Sequence, residues 1–221
     1  MENKQLTQEN VMKVLNAIYS QAKNGVSTVI PPIEDAVDDY LHDYMNAERA
    51  SKAFAKNQII KCSVSGFVTG LGGLITLPIA VPANMTNVLF VQIRMIQGIA
   101  FIGGYDLQDD RIQTFIYACL AGISVNQVFK KFGITFGQKV TTNAISKIPG
   151  KVLTQINKAI GFRFITKAGE KGLVNLGKLT PVIGGPINAG FDYFETKAIA
   201  NRAIKMFIEG DLSDNITVEE V

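Results

Sequence analysis

The chain has 221 residues, of which 47% are hydrophobic, and its net charge at neutral pH is only +3. This length predicts one domain, and the apolar content excludes a disordered chain because it is enough to form a core. A single histidine excludes zinc sites and proton relays that need two histidines.

The N-terminal region predicts two helices. Thr7 is placed to cap the first, and Asn24-Gly25 to end it. The apolar stripe of this first helix is Val11, Val14, Leu15, Ile18 and Tyr19. After Pro31-Pro32, the second helix combines an acidic face with an apolar stripe at helical spacing. That stripe consists of Ile33, Ala36, Val37, Tyr40, Leu41, Tyr44 and Met45. The first residues, MENKQLTQENVMK, lack the apolar segment of a secretory signal, and we expect Cys62 and Cys119 to be reduced core thiols.

The central feature is an apolar, glycine-rich stretch from Cys62 to Gly104. Thirty-two consecutive residues between Lys61 and Arg94 carry no charge, and Pro78 and Pro82 interrupt them. Glycines four residues apart allow two helices to approach closely. The stretch therefore predicts a helical hairpin, which is either the dry core of the protein or a segment that enters a bilayer, since each half has roughly the twenty residues of a span.

Arg94 lies in the second half of this stretch, in a predicted helix from Asn84 to about Ile102 that is apolar nearly all round. A buried cation needs a partner. The last predicted helix, Ile187 to about Ile208, follows a break at Pro181–Gly185 and carries Asp192 and Glu195 on one face. We expect Arg94 to pair with one of these carboxylates.

Three carboxylates, Asp106, Asp109 and Asp110, lie within five residues. Their expected role is to cap the helix that begins near Arg111, although they are also weak candidates for a divalent-cation site. A metal-dependent, hydrolase-like enzyme would need these carboxylates to converge with Asp192 or Glu195 in one cleft. No cofactor is predicted, and no catalytic residue is assigned.

Positive charge is concentrated in the second half of the chain. From Arg111 to Phe191 there are eleven basic residues and one acid, Glu170, so this stretch carries +10 and the remainder −7. A helix starting at Pro149 is followed by a glycine-punctuated, short-helical segment from Gly161 to Lys178. In that helix the residues expected to face inward are Val152, Leu153, Ile156, Ala159 and Ile160, and those on the outer face are Lys151, Gln155 and Lys158. Lysines among phenylalanines are typical of helices that contact anionic lipid. The candidate contacts are Lys130, Lys131, Lys139, Lys151, Lys158, Arg163, Lys167, Phe132 and Phe136. An ordinary solvated surface remains the alternative. Nucleic acid is not an expected partner, because no reading motif is present.

Four motifs follow one another along the chain: a lysine-flanked helix, a TGLGG run, an apolar helix ending IAFIGGYDL, and PVIGG before the last helix. In this order the chain resembles the EcsC family, named from a bacterial ABC-transporter operon. The resemblance covers roughly residues 45 to 208 and leaves the acidic helix before residue 45 outside. It implies helix-packing roles for Thr69, Gly70, Gly72, Gly73, Pro78, Pro82, Asp106, Pro181, Gly184 and Gly185, and it implies no catalytic chemistry.

The sequence thus predicts an all-α, multi-helix bundle around a glycine-rich central hairpin. The expected divisions are N-terminal acidic amphipathic helices (1–45), an EcsC-like helical domain (46–208) and an acidic flexible tail (209–221). The first functional hypothesis is a non-enzymatic, cytoplasmic protein bound peripherally to the inner membrane face, with anionic lipid or a membrane protein complex as partner. The alternatives are the hydrolase-like enzyme and a pore-forming or membrane-targeting toxin or effector.

Overall fold

The computed structural model describes residues 7–26, 30–63, 75, 77, 83–134, 142–170 and 187–212. Within these residues the chain forms helices and turns and no β-strand, which confirms the predicted all-α fold. The helices are α1 (Gln8–Asn24), α2 (Ile33–Asp43), α3 (Ala47–Ser63), α4 (Ala83–Ile102), α5 (Asp110–Ala121), α6 (Val125–Lys131), α7 (Thr142–Ile145), α8 (Gly150–Glu170) and α9 (Ile187–Ile204), followed by a π-helical turn over Lys205–Glu209.

Helix α1 begins and ends as the sequence predicts. The Thr7 hydroxyl accepts a hydrogen bond from the Asn10 amide at 3.2 Å, which satisfies one of the unpaired N–H groups of the first turn. Gly25 ends the helix with φ +81°, a conformation that glycine adopts without strain. The apolar stripe predicted for this helix is buried: Val11, Val14, Leu15, Ile18 and Tyr19.

Helix α2 differs from its prediction at the C-terminal end. Ile33 and Val37 are fully buried, but Leu41 and Tyr44 are 40% and 39% exposed and Met45 is entirely exposed. The helix stops at Asp43, and Tyr44 takes an extended conformation that redirects the chain into α3. The stripe therefore loses its helical geometry before its last two members, and these side chains face solvent.

Helix α4 is the centre of the fold, since it packs against α1, α2, α3, α5 and α9. Every residue from Leu89 to Ala100 is buried, which confirms that this helix is apolar all round because it is central. A Cβ at Gly98 would collide with the ring of Phe54, so the glycine lets α3 and α4 approach closely. The hairpin predicted over 62–104 cannot be followed between these helices, because 64–74, 76 and 78–82 lie outside the described residues.

Helix α8 is longer than predicted. We expected the chain to break into short helices at Gly161, but α8 continues to Glu170. A Cβ at Gly161 would lie 3.1 Å from the Cβ of Gln8, so this glycine provides close contact with α1 instead of a break. Val152, Ile156 and Ile160 are buried as predicted, whereas Lys151, Gln155 and Lys158 are exposed.

The last helix closes the bundle by packing against α3, α4 and α5. Its end changes to a π-helical turn, and Gly210 stops it with φ +70°. There, the rings of Tyr105 and Phe207 meet edge to face at 5.2 Å, which ties the turn after α4 to the end of the chain's last helix.

Candidate functional site

Exposed cations occur on α6, on α8 and in the turn before α8, and α6 and α8 contact each other. We call this group the basic face and define it by the exposed cations Lys130, Lys131, Lys147, Lys151, Lys158 and Arg163, with the exposed rings of Phe132 and Phe162. Lys151, Gln155, Lys158 and Phe162 recur at three- and four-residue spacing on α8, so they form one stripe along the helix. Phe162 is 61% exposed.

The basic face lies in a stretch of sequence without acidic residues. From residue 111 to residue 165 the sequence contains no aspartate or glutamate. On the neighbouring helix α1, Glu9 forms an ion pair with Lys13 at 2.6 Å, so its charge is already balanced. The charged side chains of the stripe on α8 are therefore all positive. The opposite side of this helix packs into the core.

Not all predicted membrane-contact residues belong to this described surface. Lys139 and Phe136 lie outside the described residues, and Lys167 lies in α8 but its side chain is not described. The family-motif residues Thr69, Gly70, Gly72, Gly73, Pro78, Pro82, Pro181, Gly184 and Gly185 are also outside them.

Arg94 is buried as expected, but its partners differ from the predicted carboxylates. Its Nη1 donates to the carbonyl oxygen of Ala22 at 2.6 Å, and its Nη2 donates to that of Pro31 at 2.7 Å. These oxygens lie at the end of α1 and in the connection to α2. Glu195 is exposed on α9 and is not among the partners of Arg94; the side chain of Asp192 lies outside the described set.

The guanidinium of Arg94 therefore joins α4 to the α1–α2 connection. Burial lowers the pKa of Arg94 to about 10, which still leaves it charged at neutral pH. Hydrogen bonds from a charged donor to carbonyl oxygens are stronger than neutral ones. The sequence suggested the need for a partner but not these partners, because main-chain carbonyl groups are present in every segment.

The aspartates after α4 have local structural roles. Asp106 Oδ1 accepts a hydrogen bond from the Gln108 amide at 2.8 Å, and Asp109 Oδ1 accepts one from the Arg111 amide at 2.8 Å. Asp109 is thus the cap of α5, as predicted. Asp110 is exposed, and no cluster of three metal-binding side chains occurs among the residues that the structure describes. The weak metal hypothesis gains no support.

A cleft of about 220 Å³ opens between the end of α5, the start of α6 and the π-helical turn. Its polar lining comes from Ser124, Gln127, Arg202, Lys205 and Asp211, and its apolar lining includes Ile123, Val125, Met206 and Leu212. Sequence reasoning missed this site. The glycines at 122 and 210 are the signal that could have marked it, but only the fold brings the two turns together.

Arg202 is held in place at one edge of the cleft. Its Nη1 donates to the carbonyl oxygen of Cys119 at 2.7 Å, in the last turn of α5. Gly122 has φ +65°, and a Cβ there would lie 3.2 Å from Nη1, so glycine leaves room for the guanidinium. Burial raises the pKa of the Cys119 thiol to about 12, and the charge of Arg202 partly opposes this rise.

Two stretches of the described chain have the length and composition of a membrane span. One is Met85–Ile102 of α4, and the other is α5 with α6, if this pair, bent by 117°, is taken as a single broken span. Of the α4 stretch, 78% is buried inside the protein. Central helices of globular proteins share these properties, so the finding is weak evidence for a membrane segment.

The comparisons identify the class of this protein. The model of the EcsC protein family matches residues 33–208, so the chain belongs to the EcsC family. This confirms the resemblance that the motifs indicated, with one correction. The match begins at Ile33 and therefore includes the acidic helix α2, which we had placed outside it.

A relative in Bacillus subtilis (strain 168), described as the uncharacterized protein YdbA, is 32% identical over 84 residues. The match covers 38% of this chain and 29% of that protein, so the chain corresponds to less than a third of its relative. No solved structure matches the chain.

Proposed function

We propose that this EcsC protein binds reversibly to an anionic membrane surface through the basic face. The observation that carries the proposal is the stripe of Lys151, Gln155, Lys158 and Phe162 on α8, exposed and without acidic neighbours in its own segment. Each Lys or Arg near an anionic bilayer contributes about 1 kcal/mol of attraction. An exposed phenylalanine adds apolar contact at the boundary between headgroups and acyl chains.

The buried state of α4 supports a peripheral mode of binding. Its apolar surface is already covered by α1, α2, α3, α5 and α9, so exposing it to lipid would disrupt the centre of the bundle. The apolar surface of the basic face, in contrast, is exposed without rearrangement. Neither Cys62 nor Cys119 forms a disulfide, which fits a location in a reducing compartment and contact with the cytoplasmic leaflet.

Flotation with vesicles tests this proposal. The protein is expected to float with vesicles rich in phosphatidylglycerol, to remain unbound with phosphatidylcholine vesicles, and to be released at about 0.5 M salt, where charges a few ångströms apart are screened. Salt-resistant binding, or equal binding to both vesicle types, would contradict an electrostatic contact.

A matched pair of variants locates the contact. The double variant Lys151→Gln with Lys158→Gln removes two charges from the stripe and is expected to weaken binding by more than about tenfold. Lys56→Gln with Lys197→Gln removes the same charge from α3 and α9. If this control weakens binding as much as the first variant, the net charge of the protein determines vesicle binding, and the basic face is not the contact surface.

A further inference from the structure

The cleft beside Arg202 has the features of a small-anion site. Its lining includes two cationic side chains, Arg202 and Lys205, and one carboxylate, Asp211. The volume of about 220 Å³ is below the usual range for drug-sized ligands, roughly 300–1,000 Å³. It equals the liquid volume of about seven water molecules, at about 30 Å³ each, so a compact group is the largest ligand expected.

Arg202 is preorganised for an anion. The bond to the Cys119 carbonyl uses one N–H of the guanidinium and fixes its plane, while the group has five N–H donors in all. A fixed guanidinium loses little conformational entropy when it binds a second acceptor, and its fork matches the oxygens of a phosphate or a carboxylate.

Ser124, the residue before α6, adds a hydroxyl donor to the lining of the cleft. Its Oγ accepts a hydrogen bond from the Gln127 amide at 3.1 Å, and the hydroxyl proton is still available to a ligand. Asp211 can accept a hydrogen bond from a hydroxyl group, and Met206 with Leu212 offers apolar contact. These groups together fit a phosphate attached to a short hydroxylated carbon chain.

The wall that carries Lys205 is a π-helical turn, Lys205–Glu209. The turn is the C-terminal end of the last helix, where the Lys205 carbonyl oxygen accepts hydrogen bonds from the amides of Gly210 and Asp211. Here the turn presents Lys205 and Met206 to the cleft and ends at Gly210.

We propose that this cleft binds the phosphate group of a small hydroxylated phosphate ester, with Arg202 as its main anchor. The ester is either free in solution or the headgroup of a phospholipid. The second source rests on the proposed membrane binding: α6 begins at the cleft and ends at Lys131 of the basic face, and its seven residues span about 10 Å.

The test uses sn-glycerol 3-phosphate without membranes, followed through the amide resonances of Gly122 and Gly210 in ¹H–¹⁵N spectra. Saturable shifts below roughly 10 mM are expected, with Lys205→Gln and Arg202→Lys each weakening binding by about tenfold. Lys197→Gln, on α9 outside the cleft, is expected to stay within about twofold of the unmodified protein.

Shifts that do not saturate, that sulfate reproduces at equal concentration, or that persist in both cleft variants would overturn the site. Arg202→Lys keeps a donor for Cys119 but loses the fork; Lys205→Gln tests the site even if the first variant is unstable. Membrane binding is measured separately with Lys151→Gln/Lys158→Gln, so failure of one proposal does not affect the other. If phosphatidylglycerol vesicles and glycerol phosphate compete for the protein, the natural ligand of the cleft is a phospholipid headgroup. If they bind independently, the ligand is a soluble phosphate ester.

Discussion

Arg94 and Lys158 are both basic residues set among apolar ones in the sequence, yet the fold treats them in opposite ways. Arg94, in the central helix α4, is 5% exposed, and its guanidinium donates hydrogen bonds to carbonyl oxygens at the end of α1 and in the α1–α2 connection. Lys158, in α8, faces solvent beside other cations. A charge inside a fold holds elements together, whereas charges on one outer face remain available to a partner. The two regions should therefore respond differently to mutation.

The largest expected effect is the loss of Arg94. Arg94→Leu leaves the buried carbonyl oxygen of Ala22 and the partly buried one of Pro31 without their donor, and it is expected to lower the free energy of unfolding by about 3 kcal/mol or more. Arg94→Lys, which keeps the charge but cannot reach both oxygens as a fork, should lose less. Urea unfolding measures both. Equal stability of Arg94→Leu and the unmodified protein would show that the guanidinium is not a structural link.

Glycines in the two regions give the next contrast. Gly98→Ala puts a methyl group into the Phe54 ring and is expected to cost about 1–3 kcal/mol through overpacking. Gly150→Ala, at the start of α8, has nothing within 4 Å of its added Cβ and should leave stability unchanged or slightly raised. A tolerated Gly98→Ala would mean that α3 and α4 are not closely packed there.

The pH dependence of stability provides a third test, at the junction of the core with the cleft. Burial raises the pKa of Cys119 from 9.0 to about 12, so the folded protein holds this proton more tightly than the unfolded chain. The resulting stability is present below pH 9 and is lost as the pH rises toward 12. From pH 8.5 to pH 10 the free energy of unfolding should fall by about 1 kcal/mol more than in Cys119→Ala. Equal falls in both proteins would contradict a protonated, buried thiol.

The smallest effect is expected at the surface rings. Phe162→Ser should weaken binding to anionic vesicles roughly fivefold, about 1 kcal/mol, without altering stability. Phe194 on α9 is similarly exposed, at 64% against 61%, and lies outside the basic face, so Phe194→Ser is the control. If only Phe194→Ser weakens binding, the α9 end of the bundle contacts the membrane instead.

The comparison also explains what the sequence could predict. Capping by Thr7 and Asp109, and the buried stripes of α1 and α8, depend on neighbours a few positions away, so local patterns were sufficient. The partners of Arg94 are 63 and 72 residues away, and the two walls of the cleft come from segments about 80 residues apart. Such contacts depend on tertiary packing. The exposed end of α2 was missed for a similar reason: periodicity does not show where the chain turns.

The most direct test of membrane binding places an environment-sensitive fluorophore at two positions. Gln155→Cys lies in the middle of the stripe on α8, and Asp39→Cys lies on the acidic helix α2; Cys62 and Cys119, at 3% and 1% exposure, should not react in the folded protein. With phosphatidylglycerol vesicles, we expect the label at residue 155 to shift to shorter wavelength and the label at residue 39 to remain unchanged. A shift at residue 39 alone, or at neither position while the protein floats, would contradict the account.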